Sequence, residues 1–419
     1  MDLHYSFYGG NDAAFYCTDP EVILAGPADT GKTLALLTKL HLVAAKYPNA
    51  SIVILRKRLT DTHPTVLQTF INKVIPEYAG ITTYGGEKAQ WFDYANGSRI
   101  WVAGLDKAGK VLSAEHDIIY VNQAEELGLP DWETLLSRAT GRAGNVPHPQ
   151  VIGDCNPSAP THWIRARAKA GVLTFFESRH QDNPELFDRE GRITEAGQRR
   201  LSALRRMTGS RLLRLYHGLW AAPEGAIYDV LDEEKHVVTA FRPPDLWPRV
   251  VGVDPIGAYV AAVWGAWDQE NGVLNIYREY MEPFGITTGG HVRNVLQLSD
   301  RETIFAWAGG GPSERQARAD WAGAGIPLQA PTVGDVWAGI DRVYALLKDF
   351  SMVIHDNCPI LLSQLGDYRR KLKDGEPTDS IENKEEYHLA DALRYLVAWL
   401  AAPVEGTRTV YDPVRIGNW

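Results

Sequence analysis

The run Gly26-Pro27-Ala28-Asp29-Thr30-Gly31-Lys32-Thr33 satisfies the phosphate-loop pattern G-x-x-x-x-G-K-[ST] at each required position. Its residue types define its chemistry. The first amides of a helix lack intrahelical partners and lie at the positive end of its dipole, so they collect phosphate oxygens. The Lys32 ammonium is expected on the β- and γ-phosphates, and the Thr33 hydroxyl on Mg²⁺. Gly26, Pro27, Ala28, Asp29, Thr30, Gly31, Lys32 and Thr33 are therefore the candidate nucleotide-binding residues, with ATP as the expected ligand.

A nucleotide hydrolase also needs a carboxylate to orient the attacking water. The apolar run Ile118-Ile119-Tyr120-Val121 meets Asn122-Gln123-Ala124-Glu125-Glu126. Its first two polar positions are amides, so Glu125 and Glu126 are both candidates, each in reach only if the strand end is displaced. A further apolar run ends in Gly153-Asp154-Cys155-Asn156-Pro157, where Asn156 is placed to sense the terminal phosphate and couple its loss to a neighbouring element. The second half carries other acids. Asp254 ends the run Val250-Val251-Gly252-Val253, and Asp391 is embedded in His388-Leu389-Ala390-Asp391-Ala392-Leu393-Arg394-Tyr395-Leu396, which reads as a helix. An acid at a strand end and one on a late helix suit two divalent ions about 4 Å apart, which activate a water and stabilise the leaving oxygen of a phosphodiester.

These residues need elements to hold them. Glu21-Val22-Ile23-Leu24-Ala25 reads as a buried strand before the loop, and Leu34-Ala35-Leu36-Leu37-Thr38-Lys39-Leu40 as a helix after it. Ser51-Ile52-Val53-Ile54-Leu55, Arg99-Ile100-Trp101-Val102-Ala103, Asp117-Ile118-Ile119-Tyr120-Val121 and Gln150-Val151-Ile152-Gly153-Asp154 are four more strands. Strands alternating with helical stretches predict an α/β fold with a mostly parallel sheet and helices on both faces. The stretch 163–220 is more helical and basic, with Arg199, Arg200, Arg205, Arg206, Arg211 and Arg214. Phe241-Arg242-Pro243-Pro244-Asp245-Leu246-Trp247-Pro248 reads as the end of a linker. The runs 259–267 and 273–280 form a hairpin around Asn271-Gly272, a strong turn signal. The expected division is a phosphate-loop domain at 1–222 with a helical lid from about 163, a linker at 223–248, a second α/β domain at 249–402 and an extended tail at 403–419.

Composition sets the outer bounds. At 419 residues, 45% apolar and 23% charged, the chain reads as a globular protein of two domains, with no run long enough for a membrane span. The first residues are neither basic nor followed by an apolar signal core. Cys17, Cys155 and Cys358 lie far apart and give neither a disulfide framework nor metal-ligand spacing, which points to a reducing cytosol. A net charge of −9 argues against coating nucleic acid through bulk charge and leaves room for a local basic groove.

Taken in order, these segments resemble the large terminase subunit of tailed bacteriophages, the ATP-driven motor-nuclease that packages DNA into proheads. Arg138-Ala139-Thr140-Gly141-Arg142 and Thr161-His162-Trp163 add to the likeness, which spans nearly the whole chain. The resemblance implies a phosphate-loop ATPase domain of additional-strand type joined to an RNase H-like nuclease domain. The implied activity is ATP-driven translocation of double-stranded DNA coupled to metal-dependent cutting of concatemers. It implies Asp254 and Asp391 as nuclease metal ligands with a third acid, for Mg²⁺ or in its place Mn²⁺. The family usually carries that acid after the strand read here at 302–307. In this chain the strand runs into Ala308-Gly309-Gly310-Gly311-Pro312-Ser313-Glu314, which makes Glu314 the nearest ligand and Asp320 a poorer one. Asn122-Gln123 likewise stand where the family usually has acids. The implied partners are double-stranded DNA, the portal protein and the small terminase subunit. The implied assembly is a homo-oligomeric ring on the prohead and a monomer free in the host cytoplasm, with no membrane. Two other readings stand beside this one. The amide pair suits a nucleotide-gated DNA- or portal-binding protein with slow or no turnover. A phosphate-loop helicase with an unrelated C-terminal domain ranks lower, because no further helicase-type motifs follow.

Overall fold

The protein is described from a computed structural model covering residues 6–400 apart from 77–79, 87, 108–112, 284, 312, 332–334 and 374–375. The described residues divide between two units. One comprises residues up to Ala159 with Trp163–Glu224, and the other Pro160–His162 with the residues from Gly225 onward.

All five apolar runs of the first half become strands of one sheet. Its eight members are β1 (Glu21–Ala25), β2 (Ser51–Arg56), β3 (Thr82–Tyr84), β4 (Trp91–Asp93), β5 (Arg99–Gly104), β6 (Ile118–Val121), β7 (Gln150–Cys155) and β8 (Thr174–Glu177). They lie in the order β3-β4-β5-β2-β6-β7-β1-β8. The six from β5 to β8 run parallel, and β3 and β4 add an antiparallel edge. Every residue of β1, β6 and β7 is buried, which is why these central strands read as continuous apolar runs rather than alternating ones. The helix Lys32–Lys46 buries Leu36, Leu40 and Ala44 in a core shared with these strands, a spacing of four that keeps one apolar face inward. Each large aliphatic side chain so buried contributes about 1.5–3 kcal/mol.

The second unit holds β9 (Val237–Val238), β10 (Arg249–Asp254), β11 (Tyr259–Asp268), β12 (Val273–Pro283), β13 (Ile304–Gly309) and β14 (Met352–His355) in the order β13-β10-β11-β12-β14-β9. A separate hairpin pairs β15 (Arg370–Lys373) with β16 (Glu376–Ile381). β10, β11 and β12 are antiparallel neighbours, β13 lies parallel beside β10, and a bridge from Ala308 to Gln329 starts the next position outward. That is the arrangement of an RNase H-like sheet. The expected hairpin is present, with Gly272 at φ 69° and Asp268 accepting from the Glu270 and Asn271 amides. The helix His388–Leu400 crosses β10 at close range. A Cβ at Gly252 would stand 2.0 Å from the Ala392 carbonyl oxygen, so only glycine admits this approach.

One expectation needs correction. The stretch 223–248 is not a free linker. Ile227 and Tyr228 are buried in the core of the second unit, Tyr228 stacks on Tyr368, and β9 pairs with β14. Its apolar residues find partners, and the change of unit falls at Glu224. The helical, basic stretch after 163 also carries a strand that was not expected, β8, which extends the sheet beside β1. The tail expected at 403–419 lies outside the described residues. Among the described residues no helix is long and apolar enough to cross a membrane.

Candidate active site

The phosphate loop leaves the buried end of β1 and enters the helix at Lys32. Asp29 at φ 67° and Gly31 at φ 88° make the turn. Side chains from other segments hold its carbonyls. Asn11 Nδ2 donates to the Thr30 carbonyl at 2.8 Å, Asn183 Nδ2 to that of Asp29 at 2.7 Å, and His180 Nε2 lies 3.0 Å from that of Ala28. Ala28 to Thr33 line a cavity of about 390 Å³ together with Asn122, Gln123, Asp154, Asn156 and Arg200. Lys32 is buried. Its ammonium donates to the Gly26 and Pro27 carbonyls at 2.8 and 2.7 Å and lies 3.4 Å from Asn156 Oδ1. Burial pushes its pKa down, and the charge of Asp154 is the strongest opposing influence.

Directly after β6 the chain turns. Gln123 takes a left-handed conformation at φ 56°, and Ala124–Glu126 form a short 3-10 turn. The turn separates the roles of the two acids. Glu126 is gripped by Arg56, whose Nη2 and Nε stand 2.9 and 3.3 Å from its two oxygens. Glu125 faces Asn156 instead, accepting from its Nδ2 at 3.1 Å. Asn156 thus bridges Lys32 and Glu125. Burial pushes the Glu125 carboxyl up to about 7, with Asp154 and Glu126 adding to the shift. A carboxylate that titrates near neutral pH and is linked to the phosphate-loop lysine suits general-base work. Thr33 donates to Asp154 Oδ2, an acid that the sequence shows only as a strand end.

In the second unit Asp254 ends β10, and His388 Nδ1 lies 2.8 Å from its Oδ2. Burial pushes the Asp254 carboxyl up to about 6, and the charges of Asp391 and Glu314 push the same way against the His388 contact. The three expected acids therefore share one field. They are not gathered on one point: among the described residues no three His, Cys, Asp or Glu side chains form a group that could hold a metal ion. Asp391 receives Lys384 Nζ on Oδ2, and Arg394 Nε and Nη2 on Oδ1 at 3.3 and 3.2 Å. Glu314 Oε2 accepts from the Gly311 amide at 2.8 Å, which closes its own turn. Asp320 pairs with Gln316 on an exposed helix face and drops out as a ligand. The donor set still fits a divalent ion in type. The charges of Asp391 and Glu314 act on Asp254, and Lys384 and Arg394 supply positive charge beside Asp391.

Three contributors here were not expected. His388 and Lys384 act on the acids directly. The Tyr395 hydroxyl is pushed above its ordinary range by burial, with Asp254, Glu314 and Asp391 adding to the shift. Tyr395 falls four residues after Asp391, so helical spacing put both on one face.

No protein-family model and no curated relative matches the sequence. Among solved structures, the chain is similar to the large terminase of a thermophilic bacteriophage, with 16% identity over 94% of this chain and 98% of that one and a TM-score of 0.44. It is also similar to the HK97 bacteriophage large terminase, with 13% identity over 90% and 91% of the two chains and a TM-score of 0.45. A cobalt-bound large-terminase nuclease from a different thermophilic phage matches 42% of this chain and 96% of its own at 14% identity, with a TM-score of 0.32. At such distances the functional reading rests on this chain's own residues.

Proposed function

We propose that the chain is a motor-nuclease of the large-terminase type. Its first unit hydrolyses ATP to translocate double-stranded DNA, and its second cuts that DNA. The observation that carries the ATPase half is the hydrogen-bonded series Lys32–Asn156–Glu125, which ties the phosphate-loop lysine to a carboxylate titrating near neutrality. In the ATP complex Lys32 exchanges the Gly26 and Pro27 carbonyls for phosphate oxygens. Glu125, once ionised, takes the proton of the water that attacks the terminal phosphorus. Asn156 touches both groups, so loss of the γ-phosphate changes its hydrogen bonds and passes the event on. Glu126 keeps Arg56 in place and takes no proton.

Asp254, Asp391 and Glu314 are the residues that would hold divalent ions in the second unit, with Mg²⁺ or Mn²⁺ as the expected metals. Such ions, when bound, supply an activated water and charge stabilisation at a phosphodiester. His388 holds the Asp254 carboxylate in orientation through Nδ1. Sequence preference is low in this reading, because phosphate contacts position a duplex without reading its bases. The partners that go with the reading are the portal protein and a small terminase subunit, in a ring on the prohead within the host cytoplasm. A steady-state ATPase assay with and without linear duplex DNA tests it. The expected result is turnover that DNA stimulates. Tight nucleotide binding without turnover would favour a nucleotide-gated binding protein instead.

A further inference from the structure

The phosphate-loop threonine donates to a carboxylate on the neighbouring strand of the sheet. β6 and β7 run parallel with Val121 opposite Gly153, so Asn122, the first residue after β6, and Asp154, the last but one of β7, stand side by side. An amide follows one strand, and an acid stands one residue before the end of the other. Asp154 is only 2% exposed. Besides Thr33 Oγ1, it accepts from Asn122 Nδ2 at 3.0 and 3.3 Å, the Gln123 amide at 2.9 Å and the Tyr120 hydroxyl at 3.1 Å. We propose that Asp154 is the carboxylate that holds the divalent ion of the bound nucleotide, and that Asn122 is its positioning residue. The ion-holding acid is then on β7, and β6 is followed by its amide.

The inference rests on the ATP-binding reading above and adds to it the placing of the ion. In a phosphate-loop site the threonine hydroxyl and an acid share the metal. The loop fixes Thr33, so the acid must lie within reach of that hydroxyl. Asn122 carries no charge to offer a cation, but its NH₂ can donate and aim the carboxylate. Two acids side by side would repel, and one would take up a proton. The amide at 122 is therefore the complement of the acid at 154 rather than a sign of a dead site. Labour divides accordingly: Asp154 for the ion, and Glu125, turned toward Asn156, for the water.

The competing account is structural, with Asp154 tying β6 to β7 through its donors. The two accounts differ over exchange of the pair. The full chain is prepared as wild type, Asp154→Asn, Asn122→Asp and the double exchange, with thermal unfolding to confirm folding. Affinity for a fluorescent ATP analogue is measured in Mg²⁺ and in EDTA. Mn²⁺ binding in the presence of a non-hydrolysable ATP analogue is followed by electron paramagnetic resonance. Asp154→Asn should weaken Mn²⁺ binding by about tenfold to a hundredfold, the range for a lost metal-site partner, and leave affinity in EDTA unchanged. The double exchange should recover most of that loss. A folded Asp154→Asn chain that binds Mn²⁺ and nucleotide as wild type does would overturn the proposal. If Asp154→Asn does not fold, the double exchange decides: recovery of Mn²⁺ affinity supports the proposal, and a folded double variant without it refutes it. Failure of the ATP-site reading looks different, because wild type itself would then show no nucleotide binding in Mg²⁺.

Discussion

The phosphate-loop site and the acidic site of the second unit handle charge in opposite ways. In the first, the ends of β1, β6 and β7, three parallel neighbours in one sheet, bring loop, amide and acids together. Its lysine rests on the carbonyls of its own loop, and its charged groups surround an open cavity. In the second, β10, a turn after β13, a turn at 384 and the helix His388–Leu400 each contribute a group, and the charges close on one another. The first site is laid out for an arriving ligand. The second is neutralised by the protein's own cations, so a metal ion entering there must compete with Lys384 and Arg394. A strand-end site in a parallel sheet needs no such closure, because its carboxylates are kept apart by the strand spacing.

The contrast breaks most sharply at Lys32. Lys32→Ala should lower ATP turnover on the order of a thousandfold, as for loss of a fixed charge at a phosphoryl centre, and leave metal-dependent cutting of linear DNA without ATP unchanged. Near wild-type ATPase in that variant would remove the phosphate-loop assignment. The converse holds at Asp254 and Asp391. Either alanine variant should lower cutting on the order of a hundredfold or more with ATPase intact, and cutting should vanish in chelator. Equal loss of both activities would mean that the two sites are one machine and the comparison is wrong.

A finer test lies within the first site. Glu125→Gln should cut ATP turnover by about a hundredfold with nucleotide still bound, whereas Glu126→Gln, which only loosens Arg56, should cost a few-fold. The pH profile checks the same point. Burial holds the Glu125 carboxyl at about 7, and the base works ionised, so turnover should fall as pH drops through 7 and level off above it. A profile flat from pH 6 to 8 would move the base elsewhere. The smallest effect is expected at Lys384. Lys384→Ala removes one competing cation from Asp391, so Mn²⁺ binding at the second site should tighten by about fivefold, the equivalent of about 1 kcal/mol of ion pairing. Weaker Mn²⁺ binding in that variant would make the lysine a support for the site rather than its rival.

What the sequence disclosed follows burial. β1, β2, β5, β6 and β7 are legible because central parallel strands must be apolar throughout, and the phosphate loop is legible because its chemistry is contiguous. β3 is exposed at all three residues, and β15 and β16 are largely exposed, so neither carries an apolar signature. Ile227 and Tyr228 are apolar but isolated among turn residues, which concealed their place in the core. The site was legible where one residue type sufficed. Asp154 was visible as an acid at a strand end, yet its link to Thr33 depends on β7 lying beside β1, a fact of strand order. The choice between Glu125 and Glu126 depends on the left-handed Gln123, which no local pattern demands.

Gly252 has a consequence for how this chain can vary. The strand bearing Asp254 and the helix bearing Asp391 meet where a methyl group would have to overlap the Ala392 carbonyl oxygen. Every missense change in a glycine codon adds at least a methyl group. No missense step at 252 therefore leaves the spacing of the two acids untouched. The position has no chemistry of its own, yet its inheritance should be as restricted as that of the carboxylates it keeps in register.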